Sequence, residues 1–197
     1  VIAVVDRAAA PERLMPLYTV TGHEVGAEAE IAELAGYAGS RPVRVGNAAR
    51  GQVQLDVFGP IAELVWQLLL AEAPVSSEHW RLVEAMVGAV EARWHEPDHG
   101  IWEIRKPRRH HVHSKVMCWL AVDRGIRISE RFLDRKKPAW EQLRQTIADD
   151  ILEKAWHEQA NAYTAAYGGD DLDAASLMIG LMGLVDCTDP RFMATID

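Results

Sequence analysis

The sequence predicts an all-α protein assembled from helical hairpins. Three observations carry that prediction. Apolar residues recur at three- and four-residue spacing in five segments, the stripe of a helix that packs on one face. Proline, serine and aspartate stand where those stripes start or stop. The unit loop–helix–helix returns about every 58 residues, with helices following long loops near 54, 113 and 171. Such hairpins either stack into an open solenoid or close into a toroid. In a closed ring, alternate helices form the inner wall. The long loops then gather at one end, where inner-helix N-termini present free N–H groups and positive dipole ends to polar ligands.

The first helix is expected over 54–73, with Leu55, Phe58, Ala62, Val65 and Leu69 inward and Pro74 as its stop. Ser76 or Ser77 caps the second, which carries Leu82, Val83, Met86, Val87 and Val90 inward and runs to about His95, before Pro97. A third spans about 113–131 around Val116, Met117, Leu120 and Ala121. Pro138 opens a fourth that runs to about Trp156. A fifth is expected over 171–185, on Leu172, Leu177, Met178, Leu181 and Leu184. Asp189-Pro190 reads as a turn. Three loops, roughly 35–53, 96–112 and 157–170, separate these elements. Val43–Val45 and Ile101–Ile104 look extended within them.

Composition narrows the function. The chain has 197 residues, 49% hydrophobic and 25% charged, with a net charge of −8. These values fit a globular protein and exclude collagen-like and disordered chains. No basic face stands out, so nucleic acid is not an expected partner. The longest apolar runs span a few residues, such as Leu68–Ala71, far short of the roughly 20 that a membrane span needs, so no membrane contact is expected. Cys118 and Cys187 lie far apart, without CxxC spacing, and read as reduced, mostly buried thiols of a cytoplasmic protein. The chain opens Val1-Ile2-Ala3-Val4-Val5 without Met and is expected to be an internal piece of a longer protein.

Four stretches can carry chemistry. In Pro97-Asp98-His99-Gly100-Ile101-Trp102-Glu103-Ile104-Arg105, a carboxyl stands between apolar neighbours. Such surroundings disfavour the ionised form and suit a general acid that protonates a leaving oxygen. Trp102 offers a ring for stacking on a sugar. The plainer alternative pairs Glu103 with Arg105 at the surface. In Gly36–Ala49, Arg41, Arg44 and Asn47 offer an oxygen-binding rim, or else satisfy loop carbonyls and Asp56. His95, His99, His110, His111 and His113 form a cluster without His-x₃-His or cysteine pairs, so solvated or substrate-facing histidines are expected rather than a metal centre. In Tyr167-Gly168-Gly169-Asp170-Asp171-Leu172-Asp173 the acids can cap a helix, and the double glycine suggests a close backbone approach, possible for a ligand. No P-loop or GxGxxG is present, so nucleotide binding has no support.

Taken in order, these motifs resemble glycoside hydrolase family 15, the glucoamylases and bacterial trehalases. The resemblance is carried by Gly36–Ala49, Gln54-Leu55-Asp56-Val57-Phe58-Gly59, Pro97–Arg105, His113-Ser114-Lys115-Val116-Met117-Cys118-Trp119, and the tail from Ala166 through Leu172-Asp173-Ala174-Ala175 to Asp189-Pro190-Arg191. It runs from about Leu14 onward. It implies part of an (α/α)6 toroid, with about half of the ring present and residues 1–197 forming a partial catalytic domain. It implies inverting hydrolysis of α-glucosidic bonds in trehalose or an α-glucan, without a cofactor. Glu103 falls on the general acid. Trp102, Arg41, Arg44, Asn47, Arg105 and Lys115 fall on substrate-binding positions. The general base and an N-terminal Arg-Asp pair fall outside this chain. Gly59-Pro60 where many members have Gly-Glu, the basic Lys106–Arg109 stretch, and Gly39-Ser40 in place of a tryptophan leave the substrate beyond the scissile bond open.

Two other readings compete. One is a non-enzymatic helical-hairpin module that binds a protein on its concave face. The other is a metal-dependent hydrolase built on the histidines. The enzyme reading predicts that the three long loops meet around one acidic pocket. Half a ring leaves apolar faces uncovered on its first and last hairpins, so self-association is expected.

Overall fold

The structure, a computed structural model, describes residues 14–197; Val1–Val5 lie outside that range. Four long helices dominate: α1 (Phe58–Leu70), α2 (Ser77–Arg93), α3 (Val112–Leu133) and α4 (Pro138–Lys154). Short strands β1 (Ala29–Glu30) and β2 (Arg44–Val45) pair antiparallel ahead of them, with Ala29 opposite Val45. After α4, β3 (Trp156–His157) pairs antiparallel with β4 (Ala162–Tyr163). The chain then forms α5 (Met178–Leu181) and α6 (Pro190–Ile196).

α3 is the hub, packing against α1, α2 and α4. From Val112 to Asp123 every residue of it is buried, so it has no solvent face there. α1 lies directly against it. A Cβ at Gly59 would sit 2.6 Å from the Met117 carbonyl oxygen, so glycine is what lets the two backbones approach. α2 and α4 pack on the outside of this pair. That is the alternation of inner and outer helices expected of hairpins arranged around a ring. The predicted stripes of the first three helices bury as expected, apart from a half-buried Leu69. Ser76 caps α2 by accepting from the Glu78 N–H, and His79 Nδ1 accepts from the Ser76 N–H.

Charged residues tie the helices together. Asp123 is buried in α3 and accepts from Arg124, from Arg127 at 2.7 Å and from Arg144 of α4 at 2.9 Å. Arg124 continues to Glu63 of α1. Lys137 lies over the rings of Trp80 and Trp140, 5.2 and 4.7 Å from their centroids.

The last third corrects the sequence reading. The stripe over 171–185 does not make one helix. It makes a 3₁₀ turn, Ala174–Leu177, and the single helical turn α5. Asp173 is the N-cap of that turn, Gly183 breaks out at φ 85°, and Leu172 and Leu181 are exposed rather than inward. Asp189-Pro190 is a helix start: Asp189 accepts from the Arg191 and Phe192 N–H groups, and Pro190 takes the first turn of α6. Ile101–Ile104 is a turn rather than an extended piece, with Glu103 at φ 50°. Cys118 is buried, as expected, but Cys187 is exposed.

Candidate active site

The three long loops meet at one end of the helices. Asp98 and Arg109 exchange backbone hydrogen bonds of 2.9 Å, closing the stem of the 98–109 loop. The buried Asp98 Oδ2 accepts from the Leu55 N–H at 2.9 Å, in the 3₁₀ turn that leads into α1. His99 is fastened to Val53: its N–H donates to the Val53 carbonyl, and its Nδ1 accepts from the Val53 N–H at 3.0 Å. On the other side, His111 bridges to Ala166, the Val112 N–H donates to Ala165, and the Tyr167 N–H donates to His110. Loop 96–112 thus contacts both of the others, while the single acidic pocket that the enzyme reading also expected is not part of these contacts.

The tip of the 98–109 loop is held by side chains from three segments. Gln52 donates its amide to the Glu103 carbonyl at 3.1 Å and more distantly to that of Ile104. Arg105 grips both oxygens of Glu28, at 3.1 and 2.7 Å. The Trp102 indole donates to Asp173 Oδ2 at 2.6 Å. Arg105 therefore pairs with Glu28 and not with Glu103. Glu28 also receives the Ala48 N–H and lies beside Arg44 at 3.5 Å. The Arg105 guanidinium, helped by these neighbours, holds the Glu28 carboxyl below the usual carboxylate range.

The shelter expected for Glu103 is absent in this chain. Glu103 is exposed, and Trp102 is 63% exposed. The indole turns toward Asp173 and leaves its neighbour's carboxylate in solvent. The other candidate residues separate. Arg44 and Arg105 come together on Glu28. Arg41 donates to the Ala32 carbonyl at 3.3 Å and, with Arg44, lines a separate cavity of about 450 Å³. Asn47 caps the turn Ala48–Gly51 by accepting from the Ala49 N–H. Lys115 is buried and donates to the Trp94 carbonyl and, at 2.6 Å, to that of Glu96. It thereby satisfies the C-terminal end of α2 instead of facing the loops, and burial pushes its pKa down.

The double glycine is explained by the protein itself. A Cβ at Gly169 would lie 2.3 Å from Arg109 Nη2, and Arg109 continues to Asp171 at 3.4 Å. The close approach is to that guanidinium. The histidines disperse: His99 on Val53, His110 stacked on Tyr167, and His113 buried with Nδ1 unpartnered. Burial lowers the pKa of His110, His111 and His113. Among the described residues no three histidine, cysteine, aspartate or glutamate side chains are grouped to hold a metal ion.

The residues that organise this end were mostly not singled out from the sequence. Asp98 and Asp56 are buried, each with an unpartnered Oδ1. Asp56 has its pKa raised to about 6, first by burial and then by the Asp98 charge. Both stood inside quoted motifs, and Asp56 interrupts the apolar stretch Leu55-Asp56-Val57-Phe58, whereas Asp98, between Pro97 and His99, offered no such signal. Glu28 and Gln52 had none.

Comparison with known proteins now decides the family. The model of glycosyl hydrolases family 15 matches residues 6–197. The chain belongs to this family. Within it, the trehalase of Mycobacterium tuberculosis is 36% identical over 184 residues, 93% of this chain and 27% of its own length. The trehalase of Thermoplasma acidophilum is 32% identical over 195 residues, 98% of this chain and 33% of its own length. The chain thus spans about a third of the length of the curated relatives it matches. A glycosidase variant solved in complex with glucose shares the fold at TM-score 0.60 and 18% identity, over 80% of this chain and 43% of that one. The family 15 fold accounts for the inner and outer helices: this is part of an all-α toroid of hairpins.

Proposed function

We propose that the protein carrying this chain hydrolyses α-glucosidic bonds with inversion, in trehalose or a short α-glucan, and that residues 1–197 are part of a longer (α/α)6 catalytic domain. The observation that supports this best is the meeting of the three loops beneath the Trp102–Glu103 tip, in a family 15 chain whose curated relatives are named trehalases. Glu103 is the general acid and donates its proton to the glycosidic oxygen as that bond breaks. A second carboxylate, outside this segment, deprotonates the attacking water. Inversion needs the two groups about 6.5–9.5 Å apart, so the water fits on the opposite face of the sugar. Trp102, already exposed and fixed by one edge, offers its ring face to the sugar, whereas Arg41, held on the Ala32 carbonyl beside a separate cavity, is not part of that contact.

In this chain Glu103 is bathed by solvent, so the dry surroundings that keep an acid protonated are to be supplied by the bound sugar and by chain outside residues 1–197. The non-enzymatic module is not favoured, because its loops need not converge and family 15 membership supplies a reaction. Self-association through uncovered apolar residues belongs to the same proposal.

The test is Glu103→Gln in the full-length protein, with trehalose and maltose assayed separately and the released glucose anomer followed by NMR. Loss of an acid of this kind lowers kcat by about 10² to 10⁴. An unchanged kcat removes Glu103 from the role, and retention of the α-anomer at the bond cleaved removes inversion.

A further inference from the structure

Residues 101–109 are all exposed, so little apolar burial fixes the loop that carries Glu103. Glu103 itself sits at φ 50°, a left-handed conformation that is strained for a residue with a side chain and lasts only where neighbours over-determine it. The ties that do so are the Gln52 amide on the Glu103 carbonyl, the Glu28 carboxylate on Arg105, and Asp173 on Trp102. The first two come from the N-terminal side of the loop. Asp173 supplies the tie from the opposite side, across a sequence separation of 71 residues.

Capping alone does not account for Asp173. Its Oδ1 accepts from the Ala175 N–H at 2.9 Å, which is all that an N-cap needs. Its Oδ2 is committed to an indole that is itself mostly exposed. A solvent-facing hydrogen bond of this kind contributes little net stability after two side chains have been ordered. What it fixes is orientation. The indole edge is held, and the next residue in the chain is Glu103.

We propose that Asp173 is a positioning residue for Glu103, acting through Trp102 and together with Gln52 on the opposite flank. This rests on the reading of Glu103 as the general acid. Proton transfer needs the acid within hydrogen-bond reach of the leaving oxygen, and a misplacement of about 1 Å costs on the order of 10²-fold in rate. Asp173 therefore acts on the proton-donating step and not on the water-activating one.

The experiment compares two substrates in the full-length protein: the disaccharide that the wild type hydrolyses, trehalose or maltose, and α-glucosyl fluoride, whose leaving group needs no proton. Asp173→Ala is expected to lower kcat on the disaccharide by about 10- to 100-fold, with KM within about threefold and the fluoride rate within about threefold of wild type. Asp173→Asn keeps the acceptor for the Ala175 N–H but turns an amide NH₂ toward the indole N–H, so it is expected to lose as much on the disaccharide as Asp173→Ala. Trp102→Phe removes the donor, so adding Asp173→Ala to it should cost nothing further. Equal losses on both substrates, multiplying losses in the double variant, or a wild-type rate in Asp173→Ala overturns the inference. Glu103→Gln run alongside separates the two claims: full activity there overturns both, whereas an inactive Glu103→Gln beside a fully active Asp173→Ala overturns this one alone. Should Asp173→Ala fail to fold, Asp173→Asn and Trp102→Phe carry the test, since both leave the cap in place.

Discussion

Asp56 shows how a single buried carboxyl sets a pH dependence. Burial and the neighbouring Asp98 charge both disfavour its ionised form, raising its pKa from 3.8 to about 6. In the unfolded chain the same group titrates near 3.9. The folded state therefore binds the proton more tightly, and this group costs nothing below about pH 4. Its cost grows as pH rises from about 4 to 6 and is fully present above that, reaching about 2–3 kcal/mol. Buried His113 and half-buried His110 act in the opposite sense, since their lowered pKa values remove stability as pH falls through about 6.5. The Asp56 contribution is isolated by comparing Asp56→Asn with wild type in urea unfolding at pH 4 and pH 7. The variant is expected to gain about 2 kcal/mol over wild type at pH 7 and little at pH 4. Equal differences at both values would mean that Asp56 does not titrate in that window. Of the candidate residues, Trp102 and Arg105 were legible as neighbours because they share one motif, whereas Arg44, in a separate motif far upstream, joins them only through the meeting of the loops on Glu28. The roles of Asn47 and Lys115 were not legible. A motif supplies a position, but which carbonyl or N–H a side chain meets depends on neighbours far along the chain.

At the scale of elements, helices that bury a full stripe were readable from spacing: α1 and α2 end within a few residues of Pro74 and Pro97, and α4 begins at Pro138. The region after residue 170 was not readable. A three-and-four stripe there is shared among a capped 3₁₀ turn, one helical turn and a glycine break, and Gly180 is covered by the Phe192 ring of α6. Periodicity cannot distinguish a helix from successive turns that each bury one residue, such as Ile179. Where two inner helices touch, the sequence carried a signal that periodicity overlooked. Gly59 lies in the first turn of α1, within reach of the Met117 backbone. Gly59→Ala places a methyl 2.6 Å from a carbonyl oxygen that belongs to a buried helix and cannot swing away. α1 and α3 must separate, and a loss of about 2–3 kcal/mol in chemical unfolding is expected. A loss under about 0.5 kcal/mol would show that the two helices slide apart freely.

At the scale of the molecule, α3 is enclosed while the ends of the array are not. Leu64 and Leu70 of α1, and Leu172, Leu181, Met193 and Ile196 near the C-terminal helices, are exposed. Scattered exposed leucines need no explanation, but six large apolar side chains split between the first and last helical segments are what a partial ring of hairpins leaves uncovered. Burying one such side chain contributes about 1.5–3 kcal/mol. A micromolar dimer needs about 8 kcal/mol net, after an association cost of at least about 4 kcal/mol, so four or more of these residues must act together. Residues 1–197 on their own are therefore expected to sediment as a dimer or larger species at tens of micromolar. Leu181→Ser combined with Ile196→Ser should weaken that association by about 10- to 100-fold without changing helix content, because neither side chain contributes to the core around α3. A monomer that persists at tens of micromolar, or a double-serine variant that associates as tightly as the parent, would assign these residues to ordinary solvated surface.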